Sequence, residues 1–360
     1  MMRIHIVGAG LVGTSIGLVL AAQGDQVSFS DTSKWSAQLA QDLVGGHPPR
    51  SAEQFDLLIA AVPTEQVSAI IIEAFKRNLA DIFMDISSVK TKCVLEIESF
   101  DPILAARYCG THPMAGREVS GPESAQADLF QGRPWILTPT PVTSQATIDL
   151  VSTVVKAAGA TEVQMSPIEH DQAMALVSHA PQVLASLMAG ELTLNSPTAA
   201  SLAGQGLRDV TRIAASDSQL WLGILSANAS ALRPILTSLH HRLGDFITSI
   251  EGEVDASAVT DFLNQGRVGR DLLPGKHGGK RQYVVLPVLI ADAPGQLKRL
   301  FNDAGDADIN IEDVSMEHSP GHPTGLVQIS VAPESAERLE NYLRERGWRI
   351  YPPRNPDSLP

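Results

Sequence analysis

The 360-residue chain has only two cysteines, Cys93 and Cys109. Two thiols at that spacing build neither a disulfide framework nor a metal-ligand set, and they read as buried thiols of a reducing compartment. Clustered positive charge is also scarce. With 27 Lys and Arg against 40 Asp and Glu the net charge is −13, which argues against a nucleic-acid partner, since such binders draw most of their affinity from grouped cations. The one dense basic cluster, Lys276 to Arg281, is broken by Gly278 and Gly279 and reads as linker. No stretch reaches the roughly 18 uninterrupted apolar residues of a membrane span. No metal site, no membrane association and a cytoplasmic location are therefore expected. What remains, 44% hydrophobic and 19% charged residues, is the composition of an ordinary globular protein, long enough for two or three domains.

The most informative segment opens the chain. Ile4 to Val7 is a short apolar strand, and Gly8, Gly10 and Gly13 follow at the spacing of a dinucleotide fingerprint, with Leu11 and Val12 inside it. Gly8 permits the tight turn, Gly10 lets backbone approach a pyrophosphate, and Gly13 lets the next helix sit close to the sheet. The helix N-terminus offers unpaired N–H groups to the phosphates. A second strand, Gln26 to Ser30, ends in Asp31, where an acid bonds the adenosine ribose hydroxyls and favours NAD over NADP. A leader-peptide reading, with Arg3 ahead of an apolar run, fits poorly because His5 and the spaced glycines interrupt it. Ala60-Ala-Val62-Pro63 ends a third buried strand, and such ends face the nicotinamide crevice.

The first 166 residues alternate strand and helix patterns, which predicts an α/β fold with a parallel sheet, a Rossmann-type NAD-binding domain. From Pro167 to about 275 the pattern is helical, with apolar residues on several faces and no lysine between Ile168 and Gly269. Helices of that kind are expected to pack across a homodimer interface. Pro234 is expected in a first helical turn or at a kink. Leu272 to Lys280 reads as a hinge, and residues 282–352 follow in the order βαββαβ, with a disordered tail after Pro352.

Four further motifs lie in order behind the fingerprint: Asp85-Ile-Ser-Ser-Val-Lys90, His112-Pro-Met-Ala-Gly116, Ser178-His-Ala-Pro181 and Arg208-Asp-Val-Thr-Arg212 running on to Asp217. Together they resemble the prephenate/arogenate dehydrogenase family of tyrosine biosynthesis over about residues 1 to 270. The resemblance implies oxidative decarboxylation of a cyclohexadienol: hydride leaves for the nicotinamide, the hydroxyl loses its proton, and carbon dioxide departs as the ring aromatises. It implies His112 as base for the hydroxyl, a role that suits an imidazole near neutral pH. Ser87 or Ser88 is implied as the residue that holds the same hydroxyl and orients the imidazole, Ser87 being preferred by its position in the motif, with Lys90 supporting the loop. Arg212 suits a substrate carboxylate through its planar fork. His179 is placed at the substrate's side chain, and Glu118 is placed as an acid reaching into the neighbouring subunit.

Two departures bear on substrate choice. Gln182 stands where a second histidine is usual, and the run Ala203 to Leu207 interrupts a usual glycine-rich segment. Prephenate carries a keto group at the affected side chain and arogenate an ammonium group, so both substrates stay open. The missing lysine in the helical stretch separates the chain from β-hydroxyacid and imine reductases. The tail, with Asp292-Ala-Pro-Gly-Gln-Leu297 and Asn310 to Val314, is similar to an ACT domain. That likeness implies a bound amino-acid effector, with L-tyrosine as the expected inhibitor.

Overall fold

The computed structural model describes residues 1–49, 53–116, 121–194, 200–273, 283–318 and 324–352. The chain divides into two compact units, Met1–Leu243 and Gly244–Pro360. The division falls inside the helix Ala229–Ser249, earlier than the hinge expected from the sequence. Residues 274–282 of that hinge region lie outside the described residues.

The first unit begins with β1 (Arg3–Val7), α1 (Leu11–Ala22), β2 (Gln26–Ser30), α2 (Lys34–Val44), β3 (Phe55–Ala60), α3 (Val67–Lys76) and β4 (Ala80–Asp85). There follow α4 (Thr91–Phe100), α5 (Pro102–Ala106), β5 (Tyr108–Pro113), β6 (Pro134–Thr138), α6 (Gln145–Ala157) and β7 (Thr161–Gln164). The strands form one sheet in the order β2-β1-β3-β4-β5-β6-β7. Strands β1 to β5 are parallel, as expected, but β5 and β6 pair antiparallel. Among the described residues no crossover α-helix joins that pair, as an antiparallel neighbour requires none. The order reverses between β1 and β3, and ligands of such sheets bind outside the carboxyl ends at the reversal.

Strand β3 shows why these segments read as unbroken apolar runs. Leu57 and Ile59 enter a core shared with α1 and α6, whereas Phe55, Leu58 and Ala60 enter a second core with α3, α4 and α5. Both faces are buried, so no polar alternation survives in the sequence.

The helical stretch opens with α7 (Pro167–Met174), which a capping box of Ser166 and Glu169 and the N1 proline start firmly. A π-helical turn, Ala175–His179, joins α7 to α8 (Ala180–Leu194). By length and composition the run Pro167–Leu194 could cross a bilayer, which the sequence reading did not anticipate. However, its buried side chains include His170, Asp171, His179 and Gln182, the first three held by protein partners described below. After α9 (Gln205–Thr211) and a short 3₁₀ turn (Arg212–Ala215) come α10 (Ser218–Ala227) and α11 (Ala229–Ser249). Pro234 lies inside α11, beyond its first turn.

The second unit holds α12 (Ala256–Arg270), β8 (Val284–Ala291), α13 (Gln296–Asp306), β9 (Asp313–His318), β10 (Thr324–Val331), α14 (Pro333–Glu345) and β11 (Arg349–Ile350). Its strands make an antiparallel sheet, β11-β8-β10-β9, giving the βαββαβ order expected. Leu286, Val288, Leu300, Ile329, Leu339 and Leu343 form its core.

Candidate active site

The glycine loop fits a dinucleotide. Gly8 has φ +106, and a Cβ there would fall 2.1 Å from the Ala61 carbonyl oxygen. A Cβ on Gly13 would fall 2.3 Å from the Gly8 oxygen, so α1 can approach the loop only without one. Gly10, by contrast, faces open space and is the N-cap of α1 with no side chain capping the helix. That leaves N–H groups of the first turn for an anion. Asp31 accepts hydrogen bonds from the amides of Ala9 (2.8 Å) and Ser33 (2.7 Å), which holds its carboxylate beside the loop. Leu11 and Val12 start α1, and half-buried Val62 and exposed Pro63 follow the end of β3 at the crevice.

The second motif folds around one carboxylate. Asp85, fully buried at the end of β4, accepts from the Tyr108 hydroxyl (2.8 Å), the Ser87 amide (2.9 Å) and the Ser87 hydroxyl (2.5 Å), and it pairs with the buried Lys90 ammonium. Lys90 also donates to the Thr111 carbonyl (2.7 Å). Burial and the Asp85 charge push the Tyr108 hydroxyl well above its ordinary range. Burial pushes the Cys93 and Cys109 thiols up to about 12, consistent with inert interior cysteines. The Ser87 hydroxyl also lies 3.1 Å from the Val89 carbonyl. The partners shown for the Ser87 hydroxyl are Asp85 and Val89, while the imidazole of His112 meets His170.

His112, half-buried near the end of β5, places Nδ1 2.9 Å from Nε2 of His170, the rings meeting edge to face at 67°. His170 Nδ1 in turn lies 2.8 Å from the Asp171 carboxylate. That carboxylate accepts the backbone N–H groups of Lys90 and Thr91, both at 2.8 Å, capping α4 from another helix. Burial lowers His112 well below the usual histidine range, reinforced by the nearby His170, Lys90 and His179. His170 is lowered too, chiefly by burial, against the pull of Asp171. Burial tends to raise Asp171, but bonds from His170, Thr91 and Lys90 bring it below the ordinary carboxylate range.

Buried His179 closes the π turn, with Nδ1 3.0 Å from Asn228 Nδ2 and its ring edge-on to Trp221. Burial lowers it to about 4. The same Asn228 amide donates to the Asp171 carbonyl (2.8 Å). His112 and His179 are thus joined through His170, Asp171 and Asn228. A cavity of about 690 Å³ borders this network at Asp171 and Asn228, but His112 does not line it.

Of the other expected site residues, Arg212 is exposed at the start of the 3₁₀ turn, and Glu118 lies outside the described residues. The sequence reading missed His170, Asp171 and Asn228. A usable signal was present, since a His-Asp pair in a long apolar helical run needs partners when buried. His5, in β1, bonds Ser28 (2.8 Å) and Ser30 (3.0 Å) and stacks on Phe55.

The similarities to known proteins agree with this geometry. The family profile described as prephenate dehydrogenase, nucleotide-binding domain, matches residues 16–164, and that of the prephenate dehydrogenase dimerization domain matches 166–264. The "Probable prephenate dehydrogenase NovF" of Streptomyces niveus is 32% identical over 354 residues, 95% of this chain and 98% of that protein. The prephenate dehydrogenase of Bacillus subtilis is 27% identical over 95% of this chain and 96% of its own. A crystal structure of the Aquifex aeolicus prephenate dehydrogenase, in complex with hydroxyphenyl propionate and NAD+, superposes with a TM-score of 0.67 at 28% identity, covering 75% of this chain and 97% of that one. With a glycine loop shaped for a dinucleotide, a histidine network at the end of β5 and both family profiles matched in order along the sequence, the chain belongs to the prephenate dehydrogenase family.

Proposed function

We propose that the chain catalyses NAD-dependent oxidative decarboxylation of prephenate to 4-hydroxyphenylpyruvate in tyrosine biosynthesis. The observation that carries the mechanism is His112, neutral by burial and anchored by His170 at the sheet's carboxyl end. Bound NAD supplies the hydride acceptor. His112 takes the proton of the ring hydroxyl while hydride leaves the carbinol carbon. As carbon dioxide departs and the ring aromatises, His112 returns that proton to the phenolate oxygen, so the histidine ends as it began. Ser87 contributes a hydroxyl near the same point, and Asp31 holds the adenosine ribose. Arg212 is assigned to a substrate carboxylate, and His179 to the substrate's side chain.

The apolar side chains Leu176, Val177, Leu184, Leu187 and Met188, exposed on the π turn and α8, support a homodimer in which these helices are covered, with Glu118 contributed across it. The βαββαβ domain supports an ACT-like reading with L-tyrosine as its effector. One assay tests the function: purified chain with NAD or NADP is offered prephenate or arogenate separately, and nicotinamide reduction is followed. Reduction of NAD with prephenate is expected, and preference for arogenate or NADP overturns the corresponding assignment. Added L-tyrosine should lower the rate without acting as a simple competitor of substrate.

A further inference from the structure

The two histidines of the site are joined by a hydrogen-bond chain whose ends differ in chemistry, and the difference is set by one residue. The Asp171 carboxylate can only accept hydrogen bonds. Its partner His170 Nδ1, at 2.8 Å, must therefore carry the hydrogen. Burial keeps His170 below the usual histidine range, so at neutral pH the ring holds a single hydrogen and Nε2 is a bare lone pair. His112 Nδ1, 2.9 Å from that lone pair, must then be the donor. Nε2 of His112 is left as an acceptor.

The other branch runs from the backbone carbonyl of the same residue. A carbonyl oxygen accepts only, so the Asn228 atom 2.8 Å from it is the amide nitrogen, which fixes the orientation of that side chain. The same nitrogen lies 3.0 Å from His179 Nδ1. Its second hydrogen meets Nδ1, which must be a lone pair. Neutral His179 then carries its hydrogen on Nε2 and offers a donor.

We infer that Asp171 and Asn228 are positioning residues that lock His112 and His179 in opposite tautomers, making the site accept a proton at one histidine and donate a hydrogen bond at the other. This rests on the proposed roles of His112 at the ring hydroxyl and His179 at the substrate side chain. Its consequence is selectivity. A keto oxygen accepts the His179 N–H, whereas an ammonium group, itself only a donor, meets a donor and is left unsatisfied. The network therefore favours the keto acid over its amino counterpart. At His112 the incoming proton lands on Nε2, and the resulting imidazolium still donates through Nδ1 to His170, so the chain needs no rearrangement during turnover.

Two measurements on the full-length protein decide it. Nitrogen-15 NMR of histidine-labelled enzyme at neutral pH distinguishes protonated from bare ring nitrogens. With His112→Gln, His170→Gln and His179→Gln used to assign peaks among the ten histidines, His112 and His170 should show hydrogen on Nδ1 and His179 on Nε2. Any other pattern at His112 or His179 overturns the proposal. Second, Asn228→Asp replaces the donor beside His179 with an acceptor and reverses that tautomer. The ratio of kcat/KM for prephenate over arogenate should fall by about 10- to 100-fold, while Asn228→Gln, which keeps the amide, should restore much of it. An unchanged ratio in a folded Asn228→Asp protein overturns the selectivity. Wild-type enzyme that oxidises neither substrate overturns the functional reading instead, and the NMR pattern still decides the tautomers.

Discussion

The two units of this chain handle buried polarity in opposite ways. Among the described residues of the second unit, the buried polar side chains are Asp303 and Glu312, around a core of Leu, Ile and Val. The first unit buries Asp85, Lys90, His170, Asp171, His179 and Asn228 together, each with partners inside the protein. A buried charge is costly unless paired, so such a concentration is sustained only by a network that satisfies it. The first unit gives up tolerance to substitution for a site of defined protonation. The second is held mainly by apolar packing, with the buried Asp303 carboxylate accepting from Trp348 (2.7 Å) and Arg346 (3.0 Å), and can vary without touching chemistry.

The largest effect that separates the units is on rate. His112→Asn should lower kcat by about 10² to 10⁴ while NAD and substrate binding stay near wild type. Steady-state kinetics and binding titrations check this, and a loss confined to KM removes the base assignment. Next comes a paired stability test. Lys90→Met leaves Asp85 buried without its cation and should destabilise the first unit by about 3 to 5 kcal/mol. Leu339→Ala opens a cavity in the second unit and should cost it about 2 to 5 kcal/mol with turnover unchanged. Denaturant unfolding combined with activity assays distinguishes them, and a comparable activity loss in Leu339→Ala breaks the comparison.

Acid should also divide the units. His5 and His179 are held near 4, from an ordinary value of 6.5, by burial. Between those values the unfolded chain binds protons that the folded chain does not, so stability is intact above about 6.5 and falls as pH drops toward 4. The full loss is of the order of 3 kcal/mol for each such group. Hydrogen exchange at pH 5 and pH 7 should show β1 and the π turn loosening more than β8 and β10. Equal loosening in both units contradicts the contrast. The smallest expected effect is at the cofactor: Asp31→Ala should raise the KM for NAD roughly 10- to 100-fold by removing charged hydrogen-bond acceptors, with discrimination against NADP relaxed. Unchanged NAD saturation removes Asp31 from the ribose site.

Much of this was legible along the chain. Gly8, Gly10, Gly13 and Asp31 announce the nucleotide loop because its requirements are local: a positive φ, an open backbone, a close helix and an acid at the next strand's end. The βαββαβ order was equally readable, since β10 alternates buried and half-exposed residues with a period of two. The antiparallel turn of β6 was not, because pairing direction depends on where a loop carries the chain. The bond of the Ser87 hydroxyl to Asp85, two residues away, was not legible either, because no spacing rule specifies the orientation of that carboxylate.

The sequence by itself determined the nucleotide loop and the order of elements, since both follow from residues near one another in the chain and from the periodicity of their burial; its family resemblance is what singled out His112 as the proposed base. Only the tertiary structure decided what governs that histidine. Asp171 meets Lys90 and Thr91 across about 80 positions, His170 meets His112 across 58, and Asn228 meets His179 across 49. Hydrogen-bond direction and protonation depend on distances of about 3 Å between such groups. Those distances exist only once the helical stretch has folded against the sheet.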